Sequence, residues 1–204
     1  MPPSDFLQHH QAYWGKLPPQ PLNADALRQL QSDYAHCLDQ YLSAHWHSFS
    51  ALTQHAALCA VGGYGRTELY PHSDLDVLCL LPETPTADLQ KEWEAFYSLC
   101  WDAGICLASS VRSPSQCAQE AQADITVQTA VLEARFLAGD ASLFAQMQAQ
   151  LNALAQPAQF LQDKLAEQTR RHVKFAYSPY ALEPNCKESP GGLRDLHFLY
   201  WGMR

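Results

Sequence analysis

Apolar side chains recur every three or four positions between residues 27 and 42, which predicts an amphipathic helix. Its apolar positions are Leu27, Leu30, Tyr34, Leu38, Tyr41 and Leu42. Asn23 precedes this run and is a candidate N-cap, because its side-chain oxygen can accept a hydrogen bond from an unpaired N–H of the first turn. We expect this helix to serve packing rather than chemistry.

Three short apolar runs predict strands: residues 56–61, 75–81 and 105–111. The first run ends in two glycines and the second is closed by Pro82. Between the second and third runs, a helix is predicted from Thr86 to a stop at Gly104. Its apolar face comprises Leu89, Trp93, Phe96, Tyr97, Cys100 and Trp101.

The second half of the chain is predicted to be largely helical. Ser113 and Pro114 open one helix, and Asp124 caps another that we expect to end at Gly139. Two more helices are predicted over about residues 142–155 and 158–177. The loop "SPYALEPNCKESPGG" then leads into a final apolar helix, "LRDLHFLYWGMR". The predicted fold class is therefore α/β, a small mixed β-sheet with an N-terminal helix and a C-terminal helical region.

Composition and charge narrow the class of protein. A chain of 204 residues with 47% hydrophobic residues fits one compact domain, or one domain with a helical extension. The formal charge of -8 argues against a nucleic-acid surface, which needs a concentrated basic patch. The seven cysteines form no C-x-x-C pair, and no apolar run is long enough for a membrane span. We expect a cytoplasmic protein without disulfides that binds neither nucleic acid nor membrane.

Two aspartates stand at the start of the second predicted strand. Side chains of a strand alternate between its faces, so Asp74 and Asp76 point one way while Leu75 and Val77 point the other. Two like charges beside an apolar strand are costly unless a cation compensates them. Mg²⁺ fits this requirement, because it prefers a few carboxylates, its own waters and phosphate oxygens. The pattern predicts a metal site that binds a nucleotide.

The glycine pair after the first strand predicts the other half of such a site. Without a Cβ atom, Gly62 and Gly63 let backbone N–H groups approach phosphates closely. Arg66 follows the pair and can supply a fixed positive charge or a bidentate phosphate contact.

The order of strand, Gly-Gly, ten residues and Asp-x-Asp resembles the nucleotidyltransferase fold of the DNA polymerase beta superfamily. Within it, "GGYGRTELYPHSDLDVLCL" is similar to the signature of the bacterial PII uridylyltransferase/uridylyl-removing family. Three further segments agree in order: "WDAGICLASSVRS", "ADITVQTAVLEARFLAGD" and "YALEPNCKESPGGLRDLHFLYWGMR". The resemblance covers about residues 57–204. It divides the chain into an N-terminal helical segment (1–55), a nucleotidyltransferase core (56–140) and a helical region (141–204).

The resemblance implies transfer of UMP from UTP to a tyrosine of the PII signalling protein, with release of pyrophosphate. Asp74 and Asp76 would then hold Mg²⁺. Gly62 and Gly63 would cradle the phosphates, Arg66 would steady the triphosphate, and Ser73 would offer a hydroxyl at the same edge. The role of Lys187, Arg194 and Asp195 is open between closing over the nucleotide and capping the final helix.

Two departures from the family keep other functions open. The third predicted strand, "ICLASSV", has no carboxylate to complete a metal pair or act as the base. Asp124 and Glu133 are possible substitutes, although Asp124 also fits an N-cap and Glu133 a helix-surface ion pair. Full-length members also carry an HD phosphohydrolase domain and two ACT domains, which 204 residues do not accommodate, so we expect an isolated N-terminal piece or a truncated product. The alternatives are an inactive nucleotide-binding regulatory module and a related protein adenylyltransferase.

Overall fold

A mixed four-stranded sheet forms the centre of the protein in a computed structural model that describes residues 23–70, 72–180 and 183–203. The strands are β1 (Ala57–Ala60), β2 (Leu75–Leu80), β3 (Leu107–Arg112) and β4 (Arg135–Gly139), in the order β3-β2-β1-β4. Strand β1 runs antiparallel to both of its neighbours, whereas β2 and β3 are parallel. The predicted α/β class with a small mixed sheet is confirmed.

Helices precede, separate and follow the strands in the described residues. They are α1 (Ala24–Trp46), α2 (Ser50–His55), α3 (Gly62–Gly65), α4 (Ala87–Asp102), α5 (Pro114–Ala123), α6 (Ile125–Leu132), α7 (Ala141–Ala153), α8 (Pro157–Lys174) and α9 (Leu193–Gly202).

The predicted N-cap at Asn23 and the predicted helix starts at Thr86 and Ser113 are confirmed, and an N-cap hydrogen bond explains each of them. The side chain of Asn23 accepts from Ala26 N–H, and that of Thr86 accepts from Leu89 N–H. Ser113 forms a capping box with Gln116. Each of these contacts satisfies a backbone donor that the first helical turn leaves unpaired.

The two faces of the sheet bury separate cores. On one face, α1, α2 and α4 pack Leu38, Trp46 and Phe96 against the sheet. On the other face, α5, α6 and α7 cover Leu78 and Leu80. Because side chains alternate along β2, Asp76 lies on the same face as these two leucines, near the start of the strand, and is less buried than they are.

Two sequence predictions were wrong. The helix that begins after Asp124 ends at Leu132 rather than Gly139, because residues 135–139 pair with β1 as strand β4. Trp101 lies on α4 but is 61% exposed and does not belong to the core, whereas Trp93 of the same helix packs against it.

The cysteines and the apolar character of the helices bear on the class of protein. All seven cysteines are free thiols. Across residues 23–70, 72–180 and 183–203, no helix has the length and apolar character that a membrane crossing requires.

Candidate active site

Asp74 and Asp76 lie at the start of β2, where the strand emerges from the core. Asp74 is exposed and Asp76 is half-buried. Burial and then the neighbouring charge of Asp74 raise the pKa of Asp76 above its usual value. The pair therefore concentrates negative charge in a partly desolvated place, where a cation would be stabilising.

The glycine turn after β1 lies directly against Asp76. Val61 N–H donates to the carbonyl oxygen of Asp76 at 3.0 Å, which joins the end of β1 to the start of β2. Gly62 has a φ of 57°, and a Cβ atom built there would lie 3.0 Å from Asp76 Oδ2. Gly63 is less confined, with its nearest neighbour, Glu68 O, at 3.6 Å from such a Cβ atom. Glycine at position 62 is thus favoured by the backbone conformation, and a Cβ atom there would press on the Asp76 carboxylate.

Arg66 is held by two carboxylates. Its Nε donates to Glu68 at 2.7 Å, and its Nη1 donates to Glu133. The side chain of Glu133 is only 2% exposed and that of Arg66 is 10% exposed, so this ion pair is almost inaccessible to solvent. Glu133 is thus a buried partner of Arg66. The helix-surface ion pair that the sequence had offered as one possibility for Glu133 is not what forms. The fixed guanidinium still acts on Asp76, whose pKa it lowers against the larger effect of burial.

Helix α9 contacts the carboxylates of Glu68 and Glu133 through two residues that were not predicted from the sequence. His197 Nε2 lies 3.4 Å from Glu68 Oε2, and Trp201 Nε1 donates to Glu133. These two α9 side chains are four positions apart and so share one helix face. Their i, i+4 spacing was a signal in the sequence, but nothing local indicated which charges they would meet.

Lys187 and Arg194 come from the loop and first turn that lead into α9. The charges of both lower the pKa of Asp76, with a smaller effect than burial and Asp74, which raise it. The charges of these two predicted residues thus act on the same carboxylate as that of Arg66, although more than a hundred positions separate them from it in the chain. Lys187 is exposed and Arg194 is partly buried beside Glu188, 3.2 Å away.

Ser73 takes part in a local turn. Its Oγ accepts from Tyr70 N–H at 2.9 Å, and its N–H donates to Tyr70 O at 3.0 Å. The hydroxyl hydrogen is not used in that turn, so a ligand role for Ser73 stays a prediction.

The donor set at the start of β2 fits one kind of metal best. No cluster of three or more His, Cys, Asp or Glu side chains placed to hold a metal exists among the described residues. Asp124 accepts from Thr126 N–H as the N-cap of α6, and Glu133 is committed to Arg66 and Trp201. Two carboxylates at an open edge fit Mg²⁺, which completes its shell with water and phosphate oxygens, better than a metal that needs a closed protein cage.

A small apolar cavity of about 130 Å³ lies on the same face of the sheet as Asp76. It is bounded by β2, β3 and α6 and reaches the glycine turn through Val61. Ser110 and Thr126 contribute hydroxyl groups to its wall. The open edge with the carboxylates is therefore flanked by both apolar and cationic surfaces.

Comparison with known proteins identifies the relatives of this arrangement. Residues 42–127 match the family described as nucleotidyltransferase domain, and residues 159–204 match the family described as GlnD PII-uridylyltransferase. The bifunctional uridylyltransferase/uridylyl-removing enzyme of Cupriavidus pinatubonensis is 51% identical over 80% of this chain and 19% of its own length. Those of Cupriavidus metallidurans and Ralstonia nicotianae are 54% and 46% identical over 71% and 86% of this chain, covering 17% and 20% of their lengths. The chain spans about a fifth of the length of these curated relatives.

Proposed function

Because this chain belongs to the PII-uridylyltransferase family and carries a nucleotidyltransferase domain, we propose that it transfers UMP from UTP to a tyrosine hydroxyl of the PII signalling protein. Pyrophosphate is the other product. A relative in the same fold that transfers AMP is the nearest alternative, since no described contact fixes the identity of the base.

The observation that carries the proposal is the packing of the glycine turn against Asp76. A Cβ atom on Gly62 would lie only 3.0 Å from Asp76 Oδ2, and the cations Arg66, Lys187 and Arg194 act on the same carboxylate. A phosphate chain needs this combination of backbone access, carboxylates for a metal, and positive charge.

In the proposed reaction, Asp74 and Asp76 hold Mg²⁺, which when bound neutralises charge on the phosphate oxygens. Gly62 and Gly63 give the phosphates access to backbone N–H groups. Lys187 and Arg194 balance the negative charge of the triphosphate and of the departing pyrophosphate. The tyrosine oxygen forms a bond to the α-phosphorus of UTP, and the bond from that phosphorus to the oxygen shared with the β-phosphate breaks. Pyrophosphate leaves with that oxygen, and the phenolic proton is released to solvent.

A nucleotide-binding module that does not turn over is the second candidate function. It is favoured by one observation, namely that the described residues offer two carboxylates at the site and no third one. Such a module would bind a metal-nucleotide complex through the same residues but would lack a base for the tyrosine.

The test is incubation of the purified chain with PII protein, Mg²⁺ and either UTP or ATP, followed by the mass of the acceptor. We expect a gain of one UMP that is lost in Asp74→Asn and kept in Asp102→Asn, which removes an exposed carboxylate at the end of α4. No gain, with Mg²⁺-dependent UTP binding retained, would favour the binding module. A gain of AMP only would assign the chain to the adenylyltransferase alternative.

A further inference from the structure

The segment of residues 185–195, which we call the glycine loop, has a backbone fixed by its own hydrogen bonds. Asn185 Oδ1 accepts from the N–H groups of Lys187 and Glu188 at 3.0 and 2.9 Å. Arg194 N–H donates back to Lys187 O at 3.0 Å, which closes the loop. A Cβ atom on Gly192 would lie 2.7 Å from Cys186 O, so the closure requires glycine there. Lys187 and Arg194 are therefore held together by the backbone.

The carboxylate of Asp195 attaches this loop to helix α8. It accepts from Gln168 Nε2 at 2.9 Å and from Arg171 Nη2 at 2.7 Å. His172 Nε2 lies 3.0 and 3.1 Å from its two oxygens, and Gly191 N–H donates to Oδ2 at 2.7 Å. Three of these partners belong to α8 and one to the loop, so a single side chain joins the two segments.

Arg171 strengthens the same attachment from the α8 side. It is 6% exposed, and its Nη1 donates to the carbonyl oxygen of Glu188 at 2.9 Å. A nearly buried guanidinium needs carboxylate partners, and Asp195 is the nearest of those that contact it. Loss of the Asp195 charge would therefore leave Arg171 undercompensated and release its hold on the loop.

The orientation of α9 shows what the attachment achieves. Arg194, His197 and Trp201 lie at i, i+3 and i+7 and share one helix face. That face meets Glu68 and Glu133 beside the glycine turn. Asp195 follows Arg194 directly and faces α8 instead. The first turn of α9 therefore directs the Arg194 cation towards the site and the Asp195 carboxylate towards α8.

We infer that Asp195 is a positioning residue, which holds the glycine loop on α8 so that Lys187 and Arg194 face the triphosphate. This inference rests on the proposed function, because it takes the nucleotide site at Asp74 and Asp76 as given. Asp195 itself does not touch the nucleotide. Its effect on binding is transmitted by the two cations, which distinguishes it from a residue that only stabilises the fold.

The experiment is calorimetry of UTP and UMP binding to the 204-residue chain in Mg²⁺. For Asp195→Asn we expect UTP affinity to fall about tenfold or more, since charge-assisted contacts to the triphosphate are misplaced, while UMP affinity changes less than about twofold. In a chain that already carries Lys187→Met and Arg194→Met, adding Asp195→Asn should cause almost no further loss of UTP affinity. Asp163→Asn is the control, because this α8 carboxylate accepts from Gln159 of its own helix and so does not join α8 to the glycine loop.

A milder variant covers the case in which Asp195→Asn does not fold. Gln168→Met removes one donor and keeps the Asp195 charge, and should lower UTP affinity in the same direction by a smaller factor. Unchanged UTP affinity in a folded Asp195→Asn chain would overturn the inference. Equal losses for UTP and UMP, or a full further loss in the Lys187→Met, Arg194→Met background, would also overturn it. If the unsubstituted chain shows no Mg²⁺-dependent UTP binding, the proposed function fails and this inference fails with it.

Discussion

At the scale of single residues, Gly62 links the backbone conformation of the turn to the chemistry of the carboxylates. Its positive φ is one that side chains with a Cβ atom rarely adopt, and the space beside it is taken by Asp76 Oδ2. A side chain there would also fill the place that metal and phosphate need in the proposed function. Stability and binding should therefore fail together at this position.

For Gly62→Ala we expect a loss of about 1–2 kcal/mol in the free energy of unfolding, from the left-handed conformation alone. We also expect Mg²⁺-dependent UTP binding to weaken by about tenfold or more, because the methyl group would shift the Asp76 carboxylate and narrow the approach to the backbone N–H groups. Urea denaturation and calorimetry measure the two effects. Gly104→Ala is the control for the backbone strain alone, since Gly104 also has a positive φ, of 75°, in the turn after α4. Normal UTP binding by a folded Gly62→Ala chain would contradict the proposed phosphate access.

Glu133 is a residue whose effect should be on stability first. It is the buried acceptor for both Arg66 and Trp201, so Glu133→Gln leaves a nearly buried guanidinium with Glu68 alone. Removing one partner of a buried ion pair costs about 3 kcal/mol or more, and we expect a loss of this size in urea denaturation.

The matched control for Glu133 is an ion pair of similar length on the surface. Arg112 Nη2 lies 2.6 Å from Glu120 Oε2, but the Glu120 side chain is 49% exposed. Glu120→Gln should cost less than about 1 kcal/mol, because solvent screens the pair. Equal losses in the two variants would show that burial of Glu133 does not set its contribution.

At the scale of elements, strand β4 shows where local pattern misleads. Asp124 and Gly139 bracket an apolar run with no internal Gly or Pro, which favours one continuous helix. The chain instead leaves the helix at Glu133, and Arg135 reaches Asp39 of α1 at 2.6 Å while β4 pairs with β1. Both partners lie more than seventy positions away, so tertiary contacts override the local preference. The N-caps, by contrast, were predictable because their hydrogen bonds are local.

The short helix α3 offers a test of how closely the glycine turn packs on its neighbours. A Cβ atom on Gly65 would overlap the carbonyl oxygen of Glu133, whereas one on Gly63 would meet Glu68 O at an ordinary 3.6 Å. We expect Gly65→Ala to lose about 3 kcal/mol of unfolding free energy through overpacking against backbone, and Gly63→Ala to lose less than about 1 kcal/mol. Thermal denaturation of the two variants, which carry the same chemical change in one helix, measures the difference. Similar melting temperatures would contradict the close approach of α3 to the end of α6.

At the scale of the whole molecule, the site is assembled from segments that the sequence could identify but not place together. The spacing of Gly62, Asp74 and Asp76 pointed to a metal-nucleotide site, because strand alternation and glycine geometry are local rules. Nothing local could show that Lys187 and Arg194 act on the same carboxylate, or that Glu133 is buried under α9. These relations depend on how α8 packs against α6 and α9, which the sequence pattern does not encode at short range.

The same packing predicts how acid affects the protein. The hydrogen bond from His197, followed by those from Arg66, lowers the pKa of Glu68 to about 2. Burial raises the pKa of Asp195, but its hydrogen bonds from Gln168, Arg171 and Gly191 outweigh this and hold the pKa well below its usual range. Both carboxylates thus bind protons more weakly in the folded chain than in the unfolded chain.

A group with a lowered folded pKa contributes stability that is complete above its unfolded pKa, about 4, and is lost as the pH falls towards the folded value. We therefore expect the urea midpoint to fall steeply between about pH 4.5 and pH 2.5, since in this range the two carboxylates take up protons in the unfolded chain while they stay charged in the folded chain. In a chain with Glu68→Gln and Asp195→Asn, the midpoint at neutral pH should be lower but its fall with acid shallower. Midpoints at several pH values for the two chains measure this difference in slope. Parallel curves would mean that these two carboxylates do not account for the loss of stability in acid.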